Sequence, residues 1–491
     1  MLFFSEETRG VMQWGSGSLV QDSWRDTLGL LWRIAVAAIL TAFLIKPLNI
    51  MSLGDTQAES AGIPVKKIRL LSLAVAAFLS AGVVGFVGMM GFVGLAAATL
   101  VRQMGVRTLS MRLICSFIVG ALLLMLTDNG LMLLKHYRGT DLPAGAVTAL
   151  VGAPLLLWLT AKAPPRPSFQ TTSDISTAAP HVPRLLHFLL LIAVAVSVLA
   201  FTVGRYDETL RLTIDPEYFV FRYPRVLLAA ATGTMLALTG VILQRLTQNP
   251  MAGPELLGIS SGTAFGAMSV VMLFGITSGS SWFWLTGIVS ALVSLGLLML
   301  FNRKNGFTPE KILLTGMALA ALADAAIRIW MATGDFRVQL LLLWMSGSTY
   351  QATPESALTV GLLAAASLLL ILTLQRWLGL LSLNATIARS VGINVPLARL
   401  VLIVSSAALT ALSTLLIGPL SFVGLLAPHL ARMLGARLPK QQLAAAALIG
   451  ASVMMTADWL GRQVMFPYEV PAGMMATLIG GAYFMMMMRK L

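Results

Sequence analysis

Long apolar runs separated by short polar breaks dominate the chain, most clearly at 31–44, 185–203, 226–243, 288–301, 357–374 and 400–417. A helix needs about 20 apolar residues to cross a bilayer core. Lipid-exposed backbone must satisfy its own hydrogen bonds, so these runs predict helices. They lack the alternation of membrane barrel strands. Ten spans are predicted in the later part of the chain, at about 185–203, 226–246, 256–275, 281–301, 309–331, 355–376, 399–417, 420–436, 440–458 and 471–488. Five more are predicted before them, at about 29–45, 69–87, 90–106, 112–128 and 143–161. The expected fold is all-α, a polytopic membrane helical bundle of about 15 transmembrane helices.

Composition fits this pattern. Hydrophobic residues make up 57% of the 491 and charged residues 11%, and the mean hydropathy is +0.85. A net charge of +14 invites a nucleic-acid reading. The basic residues form no patch, however. They stand at alternate helix ends, among them Lys46, Lys66, Lys67, Arg107, Arg303, Arg376, Arg437 and Lys490, as cytoplasmic loops do under the positive-inside rule. The single Cys115 allows no internal disulfide and reads as a small buried apolar residue. Residues 1–7 have neither a basic region nor an apolar core, so a cleavable signal peptide is not expected there.

The pattern also repeats. "WGSGSLVQ" (14–21) returns as "WMSGSTYQ" (344–351), 330 positions later. "GFVGLAAATLVRQMGVR" (91–107) lies on "SFVGLLAPHLARMLGAR" (421–437) at the same offset, and "DLPAG" (141–145) lies on "EVPAG" (469–473). A period this long indicates a duplicated bundle rather than a solenoid. Between the copies, "APPRPSFQTTSDISTAAPHVPR" (163–184) is rich in Pro, Ser and Thr and reads as a cytoplasmic linker. The expected organisation is a partial first repeat over 1–162, the linker, and a complete ten-helix repeat over 185–491. The five early spans match the last five of the second copy, so the copies run parallel, and the chain is expected to be cut at its amino terminus.

Three motifs stand in order along the second copy: "FRYPRVLLAAATGTMLALTGVILQRLTQNPMAGPELLGISSGTAFGA" (221–267), "GPLSFVGLLAPHLARMLG" (418–435) and "ADWLGR" (457–462). Pro250 and Pro254 break helices and Gly253 and Gly258 permit tight turns, which makes "NPMAGPELLG" a fixed elbow or an ordinary interhelical turn. Asn249 and Glu255 can cap freed backbone groups there. The segments 53–69 and 381–399 are polar interruptions between apolar spans, each a short helix, a glycine (Gly62, Gly392) and a second helix, or else plain amphipathic loops. Arg222, Arg225 and Arg462 fall at the outer face, against the usual charge bias. Snorkelling to headgroups is the bland account of them. Asp458 and Asp128 end apolar spans, where a structural role competes with proton relay. "GISSG" fits a serine-hydrolase pattern by chance, on a membrane helix. His429 has no second ligand near it in sequence, so no metal site is expected.

Together these motifs resemble the permeases of ABC importers for iron-siderophores and vitamin B12, and the tandem arrangement is similar to the ferric-hydroxamate type within that family. The resemblance implies a permease subunit of an ATP-driven importer of iron(III)-siderophore in the bacterial inner membrane, surrounded by lipid. It implies two copies of a cytoplasmic ABC ATPase, a periplasmic or lipid-anchored siderophore-binding protein, and no nucleic acid. No cofactor would bind directly, and ATP would act through the partner. Coupling to the ATPase falls to Leu383, Ala388 and Gly392, and to Leu53, Asp55 and Gly62. Docking of the binding protein falls to Arg222, Arg225 and Arg462, whose forks suit carboxylates. Asn249, Pro250, Gly258, Gly424, Pro428 and Asp458 carry the structural motifs. The chain has no P-loop and is not expected to be an enzyme. A secondary transporter is the alternative class, disfavoured by the scarcity of acids in mid-span, Asp324 being the main exception. An inactive remnant of the permease is the other alternative.

Overall fold

Proline, glycine and polar clusters punctuate the apolar runs, and the helices end where those residues stand. The computed structural model describes residues 15–19, 23–138, 142–162, 182–206, 209–213, 215–276, 280–303, 307–332, 335–383, 385–420 and 422–488. The chain forms two units, Met1–Lys162 with Asp324–Asp335, and Ala163–Ala323 with Phe336–Leu491. Most of the expected linker, 163–181, and Trp14 lie outside the described residues.

The first unit comprises α1 (Trp24–Met51), α2 (Asp55–Ser60), α3 (Val65–Val87), α4 (Val93–Gln103), α5 (Leu109–Arg138) and α6 (Ala144–Lys162). Helix α1 packs on α3, and α4 packs on α5 and α6. Their apolar surfaces are largely uncovered, with Leu70, Leu73, Phe117 and Leu126 all exposed. In water such helices would not persist. In a bilayer they present these faces to lipid.

The second unit begins with α7 (Val182–Thr202) and a small antiparallel hairpin, β1 (Val203–Tyr206) and β2 (Thr209–Leu212), which pairs Val203 with Leu212. There follow α8 (Pro216–Thr247), a 3-10 turn (Pro254–Leu257), α9 (Ile259–Phe274), α10 (Ser281–Asn302) and α11 (Pro309–Ala332), whose last turns belong to the first unit. Then come α12 (Phe336–Met345), α13 (Pro354–Thr373), α14 (Gln375–Leu383), α15 (Ala385–Ser390), α16 (Val395–Ile417), α17 (Val423–Met433), α18 (Pro439–Gln463) and α19 (Ala472–Met488). The start signals are local. Asp215 caps α8 by accepting from the Glu217 N–H, with Pro216 at the first position. Thr353 and Ser356 form a capping box on α13, and Asn394 accepts from the Leu397 N–H to open α16.

Ten of the described helices are long and apolar enough to cross a membrane, and Ala144–Trp158, Ile259–Phe274 and Ala472–Met486 are apolar but shorter. The fold is the polytopic helical bundle expected. Two expected spans differ. The stretches 90–106 and 420–436 form helices of only 11 residues, α4 and α17. At 1.5 Å per residue each rises about 16 Å, half of a hydrocarbon core. In both, the preceding helix stops at a glycine with positive φ, Gly88 or Gly418, and a phenylalanine with positive φ, Phe92 or Phe422, starts the short helix. The hairpin and α12 were not expected either. Their segments are too short or too polar to register as spans.

Helix α8 is the axis of the second unit. Of its most apolar 18-residue window, 83% is buried, and α13, α16, α17 and α18 pack around it. Such packing needs small residues. A Cβ on Gly240 would collide with the carbonyl oxygen of Gly424. Pro428 lies four residues after Gly424, has no N–H to bond that carbonyl, and so leaves it open to α8. On its other side, a Cβ on Gly424 would lie 2.5 Å from the Pro254 ring. Replacing Gly240 with valine should therefore cost about 1–3 kcal/mol, read as a fall in the thermal midpoint of the purified protein in detergent. Gly85→Ala, with nothing within 4 Å of the new methyl, should be neutral or mildly stabilising in the same assay.

Candidate functional site

Charged side chains are expensive in a membrane bundle and mark function when they occur. Three arginines and a buried aspartate meet where α8 begins and α18 ends. Asp458, on α18, is 2% exposed. Its Oδ2 accepts from Arg462 Nε at 3.1 Å and pairs with Arg462 Nη2 at 3.0 Å, an i,i+4 pair on one helix face. Its Oδ1 accepts from the Thr349 hydroxyl and lies 3.7 Å from Arg225 Nε. Arg225, on α8, donates both terminal nitrogens to Glu469, each at 2.8 Å. This is the bidentate fork that suits guanidinium to carboxylate. The guanidinium also lies 5.9 Å from the Tyr350 ring centroid.

The arginine expectations can now be placed. Arg225 and Arg462 converge on Asp458. Arg462 Nη2 also donates to the Ala200 carbonyl at 3.3 Å. Arg222 is buried and donates to the Phe201 carbonyl at 2.7 Å. Arg222 and Arg462 therefore tie down the end of α7, while Arg225 reaches the surface through the exposed Glu469. The carboxylate of Asp458 faces two guanidiniums and a hydroxyl.

At the other end of α8, Gln248 adopts a left-handed conformation and closes the helix. Asn249 Oδ1 then accepts from the Met251 N–H at 2.9 Å, and the Asn249 carbonyl accepts from Ala252. Pro250 is exposed in this turn, and Gly258, at φ +71°, ends the 3-10 turn against the Gly316 carbonyl. Asn249 bonds backbone as expected. Glu255 does so only in part: burial pushes its carboxyl above the usual carboxylate range, and its Oε2 has no hydrogen-bond partner among the described residues.

The two polar interruptions share one geometry. Helix α2 and helix α15 are each six residues long. Each buries one alanine completely, Ala58 or Ala388. Each ends with a bond from the next helix's approach, Ile63 N–H to Ala58 carbonyl and Ile393 N–H to Ala388 carbonyl, both 3.0 Å. Gly62 (φ +79°) and Gly392 (φ +83°) make the turn between, with open space around them. Leu53 and Leu383 are exposed at the entries. Asp55 pairs with Arg69 at 2.9 Å, on the surface. Position 384 lies outside the described residues.

Four residues were not singled out from sequence: Thr349 and Glu469 of the Asp458 cluster, and Arg245 and Gln442, which bond each other between α8 and α18. Thr349 and Glu469 stand inside the echoed segments "WMSGSTYQ" and "EVPAG". Their signal was a polar group beside a repeated turn. Arg245 and Gln442 lie in short polar clusters at helix ends, 244–249 and 440–442, where nothing sets one residue apart from its neighbours.

The FecCD transport family matches residues 1–162 and 185–490. The iron(3+)-hydroxamate import system permease protein FhuB of Escherichia coli (strain K12) is 38% identical over 498 residues, covering 100% of this chain and 75% of the relative. The hemin transport system permease protein HmuU of Yersinia pestis is 34% identical over 316 residues, covering 62% of this chain and 95% of that one. Among solved structures, a metal-chelate type ABC transporter in an inward-facing conformation superposes with a TM-score of 0.56 at 28% identity, over 63% of this chain and 100% of that one.

The Asp458 cluster makes a graded prediction. Asp458→Asn leaves two largely buried guanidiniums short of their shared charge, and should cost about 3–5 kcal/mol of stability. Glu469→Gln removes a partner that is exposed, and should cost about 1 kcal/mol or less. Denaturant unfolding of the two variants in the same detergent separates them.

Proposed function

This chain belongs to the FecCD transport family, and from that premise we propose how its parts work as the permease of an ABC importer in the bacterial inner membrane. Permeases of this class are not themselves enzymes. ATP is hydrolysed by a separate cytoplasmic ATPase, in two copies, one under each of the segments 53–69 and 381–399. The observation that carries this reading is the matched geometry of α2 and α15: two exposed knobs, each with a buried alanine and a positive-φ glycine. A motor needs a rigid projection to push, and a six-residue helix closed by a glycine turn is one.

The cargo is an iron(III)-siderophore of the hydroxamate class, on the strength of the likeness to FhuB along the whole chain. Movement is inward, and a siderophore-binding protein delivers the cargo to the face that carries Arg222, Arg225 and Arg462. Among these, Arg225 makes the direct contact, because its partner Glu469 is exposed and a carboxylate of the binding protein can share or replace it. Arg222 and Arg462 hold the end of α7 beneath that contact. Segments 1–162 and 185–491 are two copies of one permease unit, joined through 163–184. Supporting this, α3 and α16 are both 23 residues long and 330 positions apart, as are α4 and α17 at 11 residues.

Two measurements test the proposal. Gly392→Val places a branched residue at a positive φ, so the turn must rearrange. Pull-down of the ATPase by the Gly392→Val, Gly62→Val double variant should weaken about tenfold or more. Unchanged pull-down removes the coupling role. Uptake of radiolabelled ferric hydroxamate into cells carrying the chain, its ATPase and its binding protein should depend on ATP and on the binding protein. Uptake independent of either rules the mechanism out, and uptake of hemin or ferric citrate alone reassigns the cargo.

A further inference from the structure

Among the described residues, Arg245 is a buried arginine that the roles above leave unused. It sits in the last turn of α8 and is 5% exposed. Its Nε donates to Gln442 Oε1 at 2.6 Å, its Nη2 to the Arg437 carbonyl at 2.5 Å, and its Nη1 to the Ser382 hydroxyl at 3.5 Å. Every acceptor is neutral. Among the described residues, no carboxylate lies within ion-pair distance of it. The helix C-terminus favours a cation there, but only modestly.

A buried guanidinium without a counter-charge is a poor stabiliser, and an apolar side chain of similar size commonly serves the fold as well or better. What it does provide is connection. Ser382 lies in the segment 381–399, next to the knob α15. Arg437 lies in the loop after α17, and Gln442 opens α18. Around it the pattern continues. Gln248 Nε2 donates to the Ser382 carbonyl at 3.0 Å, Gln244 Nε2 to the Leu425 carbonyl at 3.0 Å, and Gln442 Nε2 to the Pro428 carbonyl at 3.2 Å. One turn of α8 thus holds the knob's stem, the short helix α17 and the start of α18. Twenty residues separate Arg245 from Arg225 along α8, about 30 Å of straight helix.

We propose that Arg245 is a positioning residue that transmits ATPase-driven movement of segment 381–399 to helix α8, and through α8 to the Arg225–Asp458 cluster at its far end. In a low-dielectric interior the guanidinium cannot be left unbonded. When the segment moves, Arg245 must move with it or exchange acceptors, and either event displaces the end of α8. This inference rests on the coupling role given to segment 381–399.

The test uses the full chain reconstituted in lipid with its ATPase and a siderophore-binding protein loaded with ferric hydroxamate. Arg245→Met fills the space without the charge. Co-purified ATPase and basal hydrolysis should match wild type, while stimulation of hydrolysis by the loaded binding protein falls about tenfold, within the usual range of coupling between sites. Stimulation at the wild-type level overturns the proposal. So does a loss of stimulation that only tracks a loss of bound ATPase, which makes Arg245 a folding residue. Should Arg245→Met not assemble, Arg245→Lys decides: it keeps the charge but not the three-way fork. Full assembly with reduced stimulation supports the proposal, and full stimulation refutes it. Failure of the knob itself is read separately, by the pull-down of the Gly392→Val, Gly62→Val variant.

Discussion

A helix buried on every side can be held only if its neighbours come within backbone distance of it. Helix α8 meets that condition through Gly240, which leaves room for the Gly424 carbonyl that Pro428 sets free, and through Gly233, which does the same for Gly450 on α18. Lipid provides no hydrophobic drive between helices, so close packing and polar contacts must hold them. The result is a long helix in the second unit, gripped along most of its length. Mid-helix, the buried Thr232 and Thr239 turn their hydroxyls back onto their own helix's carbonyls, and the longer polar and charged groups stand at its two ends.

Those ends use charge in opposite ways. At the first end, Asp458 is shared by Arg225 and Arg462 and further bonded by Thr349, so its burial is compensated and the cluster is stiff. At the second, Arg245 has only neutral acceptors drawn from three elements. Paired charge fixes a position, because separating the pair leaves both groups exposed to a low dielectric. Neutral acceptors are more easily exchanged, since carbonyls and amides of similar quality lie close by. A rod fixed at one end by a charge pair and held at the other by exchangeable bonds is suited to being moved from the second end.

Much of this was legible in the sequence, for a physical reason. Apolar length, proline and glycine act locally, so the spans, the elbow at Asn249–Pro250 and the turns at Gly62 and Gly392 could be read directly. The short helices α4 and α17 were not, because the apolar run continues through Gly88–Gly91 and Gly418–Leu420 without a polar break. Composition there cannot tell helix from extended backbone. The hub of the outer cluster was also hidden. Asp458 finds Thr349, 109 residues before it, and Arg225 finds Glu469, 244 residues after it. Nothing local signals such partners. The arginines were recognised, but their internal bonds to Phe201, Ala200 and Glu469 were not, and those bonds set Arg225, which reaches an exposed carboxylate, apart from the other two.

The two knobs share a shape but not an attachment. At the 330 offset, Gln442 of the second unit corresponds to Arg112 of the first, and Ser382 to Ser52. Gln442 serves as Arg245's acceptor because an amide carries a carbonyl oxygen. Arg112 has only donors, and its Nε is already given to the Val106 carbonyl at 2.7 Å. A guanidinium in the place of Arg245 would there meet a second guanidinium. Gln442's acceptor role is therefore not available at Arg112. The first unit's knob is instead braced across its own turn by the Asp55–Arg69 pair, which is exposed on both sides and so worth little. Under the proposed coupling role, ATPases acting on the two knobs would meet different junctions, buried hydrogen bonds to neutral acceptors beside α15 and a solvated ion pair at α2. On that proposal, the exchange of an amide for a guanidinium at the 330 offset makes the two junctions unequal.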